Sequence, residues 1–410
     1  MRSKLFYATL ILTMLLLSRS AEAQLRIYPE GTEPKVAAGT ITSELEMEVM
    51  VCDGQELIEI AKAPGTLKIP QCTRRVFMLT GLNEKNVEAY VKEARRLEMR
   101  HVVLMEMNDA RLKAYAQAGL FTNLEGLHLG GEDAKNGKLT DISPVTQFQK
   151  LNSLGLWCCD DLKDITPLAK LQNLTWVGIL ECENLKDITP LTKLPKLTAL
   201  AIDSSGLTDL TTLAKLQNLT SLAATMPDEV TDITPLAKLE NLTSLLIDKC
   251  KNLNNITPLT KLKKLTALGI TGSEKLKDIA PLAALSKLHT LDLTGCKEIQ
   301  NIQPLAWMPD LKNLNLARCE KISSFHPLTG LKKLEILSLT IPNNDLAFLR
   351  NLQQLQELHF SDCPKLSNVA PLKNLQKLET LGFSGCDLVT QAALTELKKK
   401  LPKGCEVTRN

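Results

Sequence analysis

Leu174-Thr175-Trp176-Val177-Gly178-Ile179-Leu180-Glu181-Cys182-Glu183-Asn184-Leu185-Lys186-Asp187-Ile188-Thr189-Pro190-Leu191 holds two periodicities in one short stretch. Val177 and Ile179 alternate with outward residues, the pattern of a short strand with one face buried. Pro190 then forbids a continuous helix, so Asp187 to Leu191 reads as a tight turn or a short 3-10 piece.

The same stretch returns along the chain. Aligning the Asp-Ile-Thr-Pro-Leu phrase puts prolines at 144, 167, 190, 235, 258, 281, 304, 327 and 371. Most steps are 23 residues, and the steps 190 to 235 and 327 to 371 each hide one shortened copy without proline, at Thr212 and Phe348. The second phrase runs Leu151, Leu154, Leu156, Cys159, and recurs as far as Leu378, Leu381, Phe383, Cys386. Twelve copies follow from Leu124, and a looser one lies around Val102 and Leu104. One copy cannot bury its leucines alone, but stacked copies share a continuous core.

This pattern resembles the leucine-rich repeat family over about residues 100 to 390. The Asp-Ile-x-Pro-Leu phrase is most similar to the internalin-type, or phosphatase-regulator-like, subclass. Two departures stand out: a unit of 23 residues rather than the subclass's 22, and Cys where that subclass usually carries Asn. The spacing Leu129 to Leu139 is also longer than Leu156 to Leu162, which predicts a loop over Gly130 to Lys138. The resemblance implies an α/β leucine-rich repeat solenoid, with a curved parallel sheet on the concave face, 3-10 turns on the convex face and caps at both ends. It also implies that the outward strand positions of the concave face bind partners.

The predicted organisation is a signal peptide over 1–23, an N-terminal cap over 24–100, a repeat array of 12 to 13 coils over 101–387, and a C-terminal cap over 388–410. Arg2 and Lys4, the apolar run Leu5 to Leu17 and the small-residue site Ala21-Glu22-Ala23 make the three-part pattern of a cleaved secretory signal. The other reading of this segment is an uncleaved anchor, against which its short apolar run counts. No cysteine follows Ala23, which counts against a lipid anchor, and no later stretch approaches a membrane span. The expected location is secreted or periplasmic. In the cap, Ser43 to Val51 and Glu56 to Ile60 read as a hairpin around Asp53-Gly54. Val76 to Leu79 reads as a strand, and Glu84 to Leu97 as a helix with Val87, Val91 and Ala94 inward. At the far end a helix over Thr390 to Lys400 and a strand over Cys405 to Thr408 close the array.

Composition agrees with an aliphatic core. Aromatic residues make up 4% of the 410, and the charged residues nearly balance at a net +3. Removing residues 1–23 takes away three basic residues and one acidic one, leaving +1. That balance argues against an electrostatic nucleic-acid binder.

Eleven cysteines are present. Cys159, Cys182, Cys250, Cys296, Cys319, Cys363 and Cys386 share one repeat position. A metal or redox array is one reading, but ligands must converge on a point, and these residues form a line. The structural reading is an inward ladder of free thiols that pack as small hydrophobes. Cys52 and Cys72 flank the N-terminal hairpin and are the candidate disulfide. Cys158 points outward, and Cys405 stands alone in the cap.

The central outward column contains His128, Gly155, Gly178, Ala201, Leu246, Gly269, Asp292 and His359, and its mostly small residues allow close approach of a ligand. Trp157 and Leu180 share a flanking column, with Trp176 on the other side of the glycines. These tryptophans either cover the sheet or anchor a protein or glycan. Asp203, Asp248 and Asp292 tint the face acidic. Trp307 reads as packing on the turn side. Asn173, Asn218 and Asn241 match the glycosylation acceptor pattern, which the repeat consensus also generates.

No phosphate-cradling loop, zinc-protease or serine-hydrolase motif occurs, and the five histidines fall on different coils. No catalytic residue, cofactor or metal is expected. The sequence therefore points to an exported, non-catalytic recognition scaffold for a protein or glycan. The alternative is a self-associating structural protein of the cell envelope.

Overall fold

The computed structural model describes residues 39–53, 56–69, 74–79, parts of 89–97, 99–119, 123–130, 138–203 and 210–409. The leader over 1–23, Cys72 and most of the 130–138 loop lie outside these residues, as do Val87, Val91 and Ala94. Of the predicted helix, Ala89, Tyr90, Lys92 and Arg96 are helical, and Tyr90 is buried. The chain falls into two compact units that divide after Leu222.

In the first unit β1 (Gly39–Asp53) pairs antiparallel with β2 (Glu56–Ile69) and with β3 (Arg74–Leu79). The hairpin is longer than its alternation predicts, and shifts of register near Ser43 and Val49 explain why the pattern breaks. β3 then pairs parallel with β4 (His101–Leu104), which opens the repeats. A helix, α1 (Asp109–Gln117), follows where later coils carry 3-10 turns. Its sequence signal is Asn108, whose side chain accepts from the Arg111 amide at 2.8 Å as an N-cap. Parallel strands β5 (Gly126–Gly130), β6 (Ser153–Trp157), β7 (Trp176–Leu180) and β8 (Ala199–Asp203) follow in strict register. β9 (Ser221–Thr225) spans the division.

The second unit continues the pattern. β10 (Ser244–Asp248), β11 (Ala267–Thr271), β12 (Thr290–Asp292) and β13 (Asn313–Leu316) pair in order. β14 (Ile336–Leu339), β15 (Glu357–Ser361) and β16 (Thr380–Ser384) extend the row. The C-terminal cap is α2 (Gln391–Lys398), capped by the Thr390 side chain, and β17 (Glu406–Arg409), which pairs with β16.

A single coil shows why the phrases recur. Leu154, Leu156, Leu162, Ile165, Leu168 and Leu174 are each 0% exposed, and burying such a side chain contributes about 1.5–3 kcal/mol. Pro167 starts a 3-10 turn over Thr166–Lys170, where its missing N–H costs nothing. Asp164 Oδ1 accepts from the Thr166 amide at 2.7 Å, and Asp187 and Asp232 do the same in their coils. The Asp-Ile-Thr-Pro phrase is thus an Asx turn feeding a 3-10 turn.

Among the described residues, eight strands end in a left-handed residue just before the ladder position. Gly272, Gly295 and Gly385 fill that place in three coils, while Cys158, Glu181, Lys249, Arg318 and Asp362 adopt positive φ without glycine's freedom. In the shortened copy at Thr212 the 3-10 turn shrinks to Leu213–Lys215. In the other, Phe348 occupies the proline place.

Trp307 differs from expectation. It is 71% exposed, because the 3-10 turn Gln303–Trp307 sends Leu305 inward and leaves its last residue facing solvent.

Candidate interaction face

Strand residues alternate, so the outward face is built from the residues between the inward leucines. Its bulky side chains do not stand up from the sheet. A Cβ added to Gly155 would lie 2.3 Å from His128 Nδ1, and one on Gly178 would lie 2.4 Å from the Trp176 ring. The same holds for His101 over Gly126, Leu246 over Gly269 and His359 over Gly382. Gly126, Gly155, Gly269 and Gly382 each seat the large residue of the preceding strand, while Gly178 seats the Trp176 ring of its own strand. The floor that the small residues suggested is therefore covered where glycines 155 and 178 lie.

His128 on β5, Trp157 on β6 and Trp176 on β7 make one aromatic cluster. The His128 and Trp157 rings stack at 5.0 Å between centroids, and His128 meets Trp176 at 5.6 Å, tilted by 57°. Trp157 is 2% exposed and Trp176 5%. Both indole N–H groups are buried with no acceptor, an arrangement that costs free energy unless something supplies one. His128 belongs to the cluster although its sequence context singled out only the tryptophans. Pairing of β5 with β6, which brings His128 opposite Gly155, is what adds it.

The remaining candidates are spread out. Trp157, Leu180 and Asp203 are register partners on β6, β7 and β8, so they form one row in the first unit. In the second unit Asp248 accepts a hydrogen bond from the Thr271 hydroxyl. Asp292 is 5% exposed and accepts from the Thr294 amide at 2.8 Å and hydroxyl at 2.6 Å, with Asn315 Nδ2 at 3.4 Å. Burial raises its carboxyl above the usual range despite those bonds. His359 lies 3.6 Å from Glu357.

The seven ladder cysteines are buried free thiols on the inward side. They donate to backbone carbonyls of the preceding coil: Cys296 to Ile270 O and Cys319 to Leu293 O, both at 3.1 Å. Burial pushes the Cys250 thiol up to about 11 and Cys296 to about 12, so both stay protonated. Cys158 is half-buried and reaches Glu181 Oε2 at 3.1 Å. Among the described residues no group of three or more His, Cys, Asp or Glu is placed to hold a metal, and no helix is long and apolar enough to cross a membrane. The amides of Asn173 and Asn218 are engaged, donating at 3.1 Å to Gln149 O and Pro195 O.

Residues 123–271 match the leucine-rich repeats of plant disease resistance protein RPS2-like proteins, and residues 337–405 match the BspA-type leucine-rich repeat region. Among solved structures, the internalin InlF of Listeria monocytogenes is 25% identical, with a TM-score of 0.56. The match covers 80% of this chain and 94% of that one. The chain is an internalin-like leucine-rich repeat protein. The mouse RP105/MD-1 complex also matches, at 16% identity and a TM-score of 0.53 over 74% of this chain and 58% of that one, a likeness of fold. No curated protein matches. Leucine-rich repeat proteins of this kind are typically protein-binding scaffolds and generally not catalysts. In this internalin-like array one ladder place departs from the others: Ser273 stands between Cys250 and Cys296, 0% exposed, and its hydroxyl has no partner.

Proposed function

We propose that this internalin-like protein is an exported, non-catalytic recognition scaffold that binds a protein or glycan on the outward face of its strands. The aromatic cluster of β5 to β7 carries the reading. Two indole donors without acceptors, held over Gly155 and Gly178, are an unfinished hydrogen-bonding set that a partner's oxygen atoms complete. Both rings are covered, so engagement includes a rotamer change of the neighbouring His128. Leu180 and Asp203 continue the row beside Trp157, and Asp248, Asp292 and His359 offer polar contacts in the second unit. Export rests on the leader over residues 1–23, with cleavage after Ala23.

The test is capture of partners from envelope and host extracts, followed by mass spectrometry. Replacing both Trp157 and Trp176 with Phe keeps the rings and removes the donors, and replacing both with Ala removes the cluster. Capture should weaken with Phe and weaken further with Ala, while circular dichroism of the Phe variant stays unchanged. Undiminished capture by both variants would place binding elsewhere.

A further inference from the structure

The turns of the second unit follow a rule that breaks at Ser324. The residue that opens each 3-10 turn is Asp or Asn in the neighbouring coils, and its oxygen accepts from the amide two residues on. Asp278 and Asn301 make that bond at 2.8 and 2.9 Å. Ser324 takes the place in the next coil, and its shorter side chain meets the His326 amide only at 3.4 Å. Phe325 follows where the preceding turns carry isoleucine, and one coil further Phe348 stands in the proline place. Their rings stack at 5.3 Å, only 5% and 6% exposed. A cavity of about 320 Å³ lies at this break, lined by Ser324, His326, Asn343, Asp345 and Arg350 among others.

The cavity's open walls are mostly polar, because Phe325 and Phe348 turn their faces to each other. Among the described residues several polar groups of the lining are left over. The His326 backbone N–H and carbonyl are used within the turn, by Ser324 and Thr329, which leaves the ring. Asp345 accepts from the Ala347 amide through Oδ1 at 2.9 Å, which leaves its second oxygen. Asn343 accepts from the Asp345 amide at 3.0 Å, which leaves Nδ2 as a donor. The exposed Arg350 guanidinium adds a planar fork of donors, a shape that matches a carboxylate.

We propose that this cavity binds a sugar acid, a single sugar ring that carries one carboxylate. Arg350 takes the carboxylate, and His326, Asn343 and Asp345 take ring hydroxyls. Size supports one ring, since ligand pockets run from about 300 to 1,000 Å³ and this one lies at the lower end. Polarity supports a ring with hydroxyls on every side over an amino acid, whose apolar side chain would find no open apolar wall. Charge supports a carboxylate over a phosphate. Asp345 balances Arg350, so a second negative charge on the ligand would be repelled.

The test is titration of the full protein with D-glucuronate, read by NMR of the ligand. D-glucose, glucose 6-phosphate and a disaccharide that ends in glucuronate are titrated beside it. Glucuronate should bind, glucose about tenfold more weakly for want of the charged contact, and glucose 6-phosphate no better than glucose. Arg350→Gln should weaken glucuronate by about tenfold and leave glucose unchanged, a split that a merely structural role would not produce. Ser324→Asp gives the turn the residue its neighbours carry, so the melting temperature should not fall. It also narrows the cavity and adds a negative charge, so glucuronate binding should be lost. Lys373→Gln, in the turn of a later coil, removes an equal charge and should leave binding within about twofold. Tighter binding of the disaccharide marks a chain end as the source of the ligand, and tighter binding of glucuronate a free sugar acid. No glucuronate binding, equal binding of glucose or preference for glucose 6-phosphate would each overturn the proposal. So would undiminished binding by Arg350→Gln or Ser324→Asp, or equal loss with Lys373→Gln. None of these outcomes bears on partner capture by the Trp157 and Trp176 variants.

Discussion

Ser273 shows how much one atom decides in this core. A ladder thiol is large and only weakly polar, so it fills its place and tolerates a long bond to a carbonyl. A hydroxyl there needs a shorter, stronger bond, and Ser273 finds none. Ser273→Cys should therefore raise stability by about 1 kcal/mol, and Cys296→Asp should lower it by on the order of 3 kcal/mol. Thermal melts would check both, and an unchanged melt of the aspartate variant would contradict the inward placement. The ladder was legible because seven cysteines share one register, which only a repeated environment explains. That the tryptophans lie down across glycines was not. Each tryptophan lies against a glycine of its own strand, and what adds to them is the His128 ring that the preceding strand places over Gly155, which local pattern does not reveal.

At the level of elements, the 3-10 turn is a small electrostatic device. Hydrogen bonds from Thr166, Thr189 and Thr234 hold the carboxyls of Asp164, Asp187 and Asp232 below the usual range. Burial tends to raise Asp109, but bonds from Thr140 and the Asp141 amide outweigh it and lower it too. A depressed carboxyl contributes stability that is present above its unfolded value and lost as pH falls through its folded value. Asp292 works the other way: its raised carboxyl is a cost above its folded value that disappears on acidification. Glu298 and Asp310 are lowered as well, by Lys321 and Lys333, so six depressed carboxyls among the described residues oppose one raised group, and the melting temperature should drop as pH falls below about 4. Because the turn carboxylates are exposed, salt should shrink the effect. A melt independent of pH between neutrality and 3 would contradict this account. The turn phrase was readable from proline and aspartate chemistry. The helix α1 escaped it because its coil lacks the proline phrase and signals itself only through Asn108.

On the scale of the molecule, a repeat array must end somewhere, and each end exposes a leucine face unless it is covered. At the C-terminus Leu394 and Leu397 of α2 are 2% and 3% exposed, and β17 pairs with β16, beside Phe383. Deleting residues 388–410 should uncover that face, lower the melting temperature and produce association in size-exclusion chromatography with light scattering. A monomer with an unchanged melt would show that the cap is dispensable.

The sequence alone determined the repeat, its coil length, the inward leucines and cysteines, and the proline turns, because each follows from periodicity and backbone chemistry within one coil. Tertiary structure decided what lies across coils. His128 joins Trp157 and Trp176 and lies over Gly155 of the next strand, and Ser273 is left without a partner. Both depend on the register between neighbouring coils, a relation set by stacking rather than by any local preference.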